Sequence, residues 1–115
     1  MKKIELSILV KKKLQTTMQD LISDYGNEAA KKVLKNMIDS IQVLQDFEKS
    51  GIRIAERFDI DTDYWYIYTN HNYFVYKIES ERILVLQMFH EREDFTAQLF
   101  GVSGRTQESI DYWGE

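Results

Sequence analysis

The feature that most restricts the fold of this chain is a pair of amphipathic segments joined by only two residues. In the first, apolar residues recur every three or four positions, at Val10, Leu14, Met18, Leu21, Ile22 and Tyr25. The second has the same spacing, at Ala30, Val33, Leu34, Met37, Ile38, Ile41 and Leu44. Because so short a link forces neighbouring helices to run antiparallel, the spacing predicts a helical hairpin whose apolar faces cover a flat surface.

Local residue types predict where the two helices begin and end. Ser7 can cap the first helix, and Gly26 can end it because glycine tolerates a positive φ. Asn27 can cap the second helix, with Glu28 favourably placed at the positive N-terminal end. Gly51 is the predicted end of that helix.

The flat surface is predicted in the second half of the chain, where three strand-like runs follow one another. Residues 64–69 are aromatic, residues 73–78 continue the pattern, and residues 83–89 are nearly all apolar, as expected of a strand buried on both faces. Residues 70–72 and 79–82 are predicted turns. Alternate aromatic side chains must face the helices, and the outward half is predicted to form a protein interface.

Two further elements complete the predicted order. Residues 2–6 alternate weakly and predict a short N-terminal strand, and Asp94 can cap a short helix over residues 95–100 that ends at Gly101. The predicted class is therefore α+β: an N-terminal strand, then an antiparallel two-helix hairpin packed on a three- to four-stranded antiparallel sheet.

Composition excludes several kinds of site. The chain has no cysteine, which rules out a disulfide framework, a thiolate metal site and a cysteine nucleophile. Asp59-x-Asp61-x-Asp63 begins like a calcium loop, but Tyr64 stands at the sixth position and Asn70 at the twelfth, which excludes one. No run approaches the ~20 apolar residues of a membrane span. We expect a cytoplasmic protein with no cofactor, no metal and no membrane partner.

The charge distribution is uneven. The net charge of −4 counts against a dedicated nucleic-acid binder, which is usually basic. Residues 1–51 nevertheless carry a net charge of +2, whereas residues 52–115 carry −6. The first half includes the run Lys11, Lys12 and Lys13, which is a candidate binding patch for a polyanion or an acidic partner. The alternative is that these lysines form the solvated face of an amphipathic helix.

The C-terminal half carries a recognisable segment. Tyr76-Lys77-Ile78 is followed by the apolar run 83–89 and then by His90-Glu91-Arg92-Glu93-Asp94-Phe95. This order resembles the ending of ParE-type toxins, a last strand that runs into a His-x-Arg-x-Asp-apolar segment. Residues 27–30 are similar to the start of the second helix in the same branch. The chain thus resembles the RelE/ParE superfamily over residues 1–100, and residues 101–115 form a C-terminal tail of unknown role.

The resemblance implies the toxin half of a bacterial type II toxin–antitoxin module, of the kind that stabilises plasmids and inhibits growth. ParE-like members poison DNA gyrase, RelE-like members cleave messenger RNA on the ribosome, and both are silenced by a bound antitoxin. Three hypotheses follow: a toxin that binds a protein target such as gyrase, a ribosome-dependent endoribonuclease, and a degenerate member that retains only antitoxin binding.

The resemblance also selects candidate site residues. RNA cleavage needs a base, an acid and a cation for the phosphorane charge. The candidates for these roles and for stacking on a base are His90, Arg92, Lys77 and Tyr76. The position where the nucleases often carry an arginine falls near Tyr73, which favours a protein target over an enzyme.

The residues predicted to bind the target or the antitoxin are Lys11, Lys12, Lys13, Arg82, Asp94 and Phe95. Structural interpretations stand beside these functional ones. His90 could hold the loop that follows a buried strand by hydrogen bonds, and Arg92 could form an ion pair with Asp94.

Overall fold

The computed structural model describes residues 2–101. The helices are α1 (Ile8–Tyr25), α2 (Asn27–Gln42), α3 (Ile54–Phe58) and α4 (Phe95–Phe100), and a 3₁₀ turn at Val43–Gln45 extends α2. The strands are β1 (Lys3–Leu6), β2 (Ile52–Arg53), β3 (Trp65–Thr69), β4 (Asn72–Ile78) and β5 (Arg82–His90). They form one sheet in the order β1-β5-β4-β3-β2.

The predicted α+β class, the helical hairpin and the three-stranded meander are confirmed, and β5 lies inside the sheet between β1 and β4. Two details of the sheet differ from the prediction. It has five strands in this part of the chain, and β1 pairs with β5 in parallel, so the sheet is mixed. β2 has only two residues, which is too few to show an alternating pattern in the sequence. The direction of β1 depends on its pairing with β5, which lies 79 residues away in the chain.

Four of the predicted helix boundaries are confirmed. The Ser7 hydroxyl accepts a hydrogen bond from the Val10 amide at 3.1 Å. The Asp94 carboxylate accepts one from the Ala97 amide at 3.2 Å, and α4 ends at Gly101 with φ 72°. Gly26, with φ 90°, separates α1 from α2.

The start and the end of α2 were predicted incorrectly. Gly26 occupies the N-cap position without a side-chain hydrogen bond, and Asn27 is already the first helical residue. α2 ends at Gln42 rather than at Gly51. A Cβ at residue 51 would lie only 2.7 Å from the Tyr66 carbonyl oxygen. Gly51 is therefore glycine because the chain passes close to the sheet there, and not because a helix ends.

The apolar core has a layer on each face of the sheet. On one face, the helical hairpin packs over buried side chains that include Phe74, Tyr76, Ile83, Val85 and Met88. On the other face, α3 and α4 cover a second cluster, formed by Ile54, Tyr66, Val75, Phe89 and Phe95. The expectation that the outward aromatic residues form an interface is wrong for Tyr66, which is 6% exposed.

A β-bulge sets which residues of β5 face the helices. Val75 pairs with Gln87 while its neighbour Tyr76 pairs with Val85, so Leu86 is an extra residue in β5. This shift lets Val85 and Met88 face the same side although they are three positions apart. The Ser7 hydroxyl donates a hydrogen bond to the Leu86 carbonyl at 2.8 Å, which ties the start of α1 to the bulge.

Replacing Ser7 with alanine is expected to lower the free energy of unfolding by about 0.5–2 kcal/mol, because α1 loses its cap. Urea denaturation of the variant and the wild type measures the difference. Ser23→Ala is the matched control, since Ser23 is exposed within the same helix and alanine has the higher helix propensity. An equal loss of stability in the two variants would contradict the capping role.

Candidate functional site

An open groove lies between the helical hairpin and the end of the sheet, with a volume of about 1040 Å³. Its apolar part is formed by Leu21, Val33, Met37 and Met88. The other lining residues are mostly polar and come from α1, α2, the β3–β4 turn and the end of β5. They are Lys13, Thr16, Thr17, Asp20, Asp24, Tyr25, Ala29, Asn70, His71, Asn72, His90 and Glu93.

The β3–β4 turn brings His71 to the groove. Asn70 and His71 have φ values of 49° and 65°, the pair of positive values typical of a two-residue type I′ hairpin. Asparagine adopts this conformation readily, and its side-chain amide donates a hydrogen bond to the Val33 carbonyl at 3.1 Å. The turn is thereby attached to α2, and its position relative to the helices is defined.

Glu91 connects His71 to the sheet. The His71 Nδ1 atom lies 3.0 Å from both carboxylate oxygens of Glu91, and the Tyr68 hydroxyl donates a hydrogen bond to one of them at 2.5 Å. The hydrogen bonds from Tyr68 and then from His71 lower the pKa of Glu91. A proton on Nδ1 satisfies the carboxylate, so Nε2 of the neutral His71 ring is left as an acceptor.

His90 has the opposite arrangement. Its Nδ1 atom accepts a hydrogen bond from the Arg92 amide at 3.2 Å, and its own amide donates to the Glu93 carboxylate at 2.7 Å. The neutral ring therefore carries its proton on Nε2. The two histidines of the chain thus line one groove, with an acceptor on one Nε2 and a donor on the other.

The rim of the groove is acidic. Asp20, Asp24 and Glu93 contribute carboxylates, and Lys13 contributes the only lysine or arginine among the lining residues that the structure describes. The Lys13 ammonium donates a hydrogen bond to the Met88 carbonyl at 2.7 Å and lies 4.6 Å from the centre of the Phe89 ring. The ammonium is thus held against the sheet.

The structure does not bring the four predicted catalytic residues together. His90 lines the groove, and Arg92 is exposed in the loop after β5. Lys77 follows Tyr76 in β4, so the two point to opposite faces of the sheet. Tyr76 lies in the core beneath the helices and is fully buried.

The Tyr76 hydroxyl makes internal hydrogen bonds. It donates to the Glu48 carbonyl at 2.8 Å and accepts from the Gly51 amide at 3.2 Å. Burial raises the pKa of this hydroxyl to about 12. In this position the side chain ties the 46–51 loop to the sheet.

The residues predicted to bind a partner are also dispersed. Lys11 and Lys12 are exposed on α1. Arg82 begins β5, at the opposite end of the strand from His90, and forms ion pairs with Glu5 and Glu79. Asp94 caps α4, and Phe95 is 5% exposed beneath the sheet. Tyr73 packs its ring 4.9 Å from that of Phe95.

Sequence reasoning missed the groove and four residues that line it: Asp20, Asp24, Asn70 and His71. One local signal was present. Two carboxylates four positions apart near the C-terminus of a helix are electrostatically unfavourable, which often marks a functional residue. Within residues 2–101 no cluster of three or more His, Asp or Glu side chains could hold a metal ion, and no helix there could cross a membrane.

Comparisons with known proteins support the expected fold. No protein-family model matches the sequence, and no curated protein matches it. Among solved structures, a chain from one titled "Chromosomal ParDE TA system from P. aeruginosa" is similar, with a TM-score of 0.66 at 13% sequence identity. The match covers 78% of this chain and 96% of the other. The fold expected from the sequence is confirmed, since the chain shares the fold of that chain from a ParDE system.

Proposed function

We propose that the chain is the toxin of a bacterial type II toxin–antitoxin module, which acts in the cytoplasm by binding an essential protein complex of the gyrase type and is silenced by a cognate antitoxin. The observation that carries the toxin assignment is the structural likeness to a chain of a ParDE system. The ParE-like segment at residues 90–95, which joins β5 to α4, adds support from the sequence.

The electrostatics of the groove favour a protein target over RNA. A phosphate backbone is bound chiefly by lysine and arginine. Here the groove presents Asp20, Asp24 and Glu93 at its rim, and the Lys13 ammonium is bonded to a backbone carbonyl. Recognition of a protein surface requires complementarity of shape and charge and no catalytic set.

One observation favours the endoribonuclease as a second candidate. His71 and His90 line the same groove, and their ring hydrogen bonds leave one Nε2 as an acceptor and the other as a donor. Cleavage of RNA through its 2′-hydroxyl needs a base and an acid, and the acid role requires a protonated imidazole. The acidic rim would oppose binding of the substrate, so this candidate ranks second.

The test is induced expression of the chain in a bacterium that lacks the antitoxin. We expect growth to stop, DNA breaks and an SOS response to follow, and messenger RNA to remain intact. The variants His71→Asn and His90→Asn are expected to arrest growth as the wild type does. Unchanged growth at confirmed expression would contradict the toxin assignment. Fragmented messenger RNA that depends on both histidines would replace the gyrase-type target with the ribonuclease.

A further inference from the structure

We propose that the groove binds a cationic amphipathic segment of the neutralising protein, whose apolar side chains cover Leu21 and Val33 while its lysines or arginines lie against Asp20 and Asp24. That the partner is the antitoxin rests on the proposed function. The charge and polarity of the segment follow from the groove alone.

Two carboxylates on α1 are uncompensated. Asp20 and Asp24 are both exposed, and within residues 2–101 neither side chain forms a hydrogen bond or an ion pair. They are four positions apart, so their side chains are neighbours on one face of the helix and repel each other. Asp24 also lies in the last turn, where a negative charge opposes the helix dipole and no basic residue is present. A bound cation would relieve all three effects.

An apolar surface lies beside these carboxylates. Tyr25, which follows Asp24 and lines the groove, is 71% exposed, and Ile22 is 36% exposed on the same helix. Leu21 and Val33, which are partly exposed, extend this surface across the groove. An apolar floor with a carboxylate rim matches a segment that is apolar on one side and cationic on the other.

The shape of the groove suits a helical segment. Its volume of about 1040 Å³ is slightly above the ~300–1,000 Å³ typical of small-molecule pockets, and it is open along one side. Two antiparallel helices flanked by a hairpin turn form the kind of cleft in which an amphipathic helix lies with anchors at positions i, i+3, i+4 and i+7.

The test uses two synthetic helical peptides with the same leucine pattern, one with lysine and the other with glutamate at the polar positions. Each labelled peptide is titrated into the full chain, and binding is followed by fluorescence anisotropy. The Asp20→Asn/Asp24→Asn variant is compared with Asp61→Asn/Asp63→Asn, which removes two exposed charges from the loop before β3 and changes the net charge equally. Circular dichroism is used to check that both variants fold.

We expect the lysine peptide to bind the wild type and the control, and to bind the Asp20→Asn/Asp24→Asn variant roughly three- to tenfold more weakly, the loss of two exposed ion pairs. Tyr25→Ser should also weaken binding, since it removes apolar contact without removing charge. The melting temperature of Asp20→Asn/Asp24→Asn should equal or exceed that of the wild type, because the repulsion on α1 is gone.

Three results would overturn the inference. Equal weakening in the two Asp→Asn variants would mean that the peptide responds only to net charge. Tighter binding of the glutamate peptide would reverse the assigned polarity. If the chain forms a dimer and the dimer binds no peptide, then a second copy of the chain occupies the groove. Each is measured in vitro and is independent of growth arrest, so failure here is distinguishable from failure of the proposed toxin function.

Discussion

Replacing Tyr76 with alanine is expected to lower the free energy of unfolding by about 3–5 kcal/mol, which is the usual cost of truncating a buried aromatic ring. The ring is fully buried between the sheet and the helical hairpin, and its hydroxyl makes hydrogen bonds with the backbone of Glu48 and Gly51. Urea denaturation measures the loss. Tyr25→Ala is the matched control, because Tyr25 is exposed and its truncation should change stability little.

Tyr76→Phe separates the hydroxyl from the ring. The variant is expected to lose about 1–3 kcal/mol at neutral pH, because it leaves the backbone of the 46–51 loop without its partner. Since the folded pKa is raised from 10 to about 12, the neutral hydroxyl stabilises the wild type below pH 10, and this contribution is lost as the pH rises from 10 to 12. The gap between the two proteins should narrow over that window. A gap that stays constant across it would contradict the assigned burial of the hydroxyl.

Replacing Phe95 with alanine is expected to lower the free energy of unfolding by about 3–5 kcal/mol as well. Phe95 is 5% exposed and its ring contacts those of Phe58, Tyr66, Tyr73 and Phe89, at centroid distances from 4.9 to 6.0 Å. It anchors α4 on the face of the sheet opposite the hairpin.

The control for Phe95 is Gln98→Ala, an exposed position on the same helix, which should change stability by no more than about 0.5 kcal/mol. Denaturation curves and growth arrest are measured for both variants. If Phe95→Ala keeps the stability of the wild type but abolishes growth arrest, then Phe95 is a contact residue for the partner, and its burial beneath the sheet does not describe its role.

Features that depend on neighbouring residues could be predicted from the sequence. The apolar spacing in residues 10–44 predicted both helices of the hairpin, because a period near 3.6 requires only adjacent turns. Ser7 and Asp94 predicted caps correctly, because a cap bonds an amide three positions away. The meander followed from three apolar runs separated by turns. The C-terminal tail of unknown role, residues 101–115, lies outside the described residues from residue 102 onward.

The candidate site depended on contacts between distant segments. The extra residue Leu86 in β5 reverses the alternation, and thus places Met88 and His90 on the helix side, where they line the groove. A strict two-residue period counted from Ile83 would have placed Met88 on the opposite face. Asn70 and His71 reach the groove because the Asn70 side chain is hydrogen-bonded to α2.

The sequence by itself determined the helical hairpin, the meander and the N-caps of α1 and α4, since each is governed by spacing and hydrogen bonds within a few residues. Only the tertiary structure decided the parallel pairing of β1 with β5, the short strand β2 and the meeting of Asp20, Asp24, His71 and His90 in one groove. The physical reason is that packing between segments far apart in the chain selects the strand direction, the bulge and the approach of the turn to the helix. Local sequence patterns do not contain information on that packing.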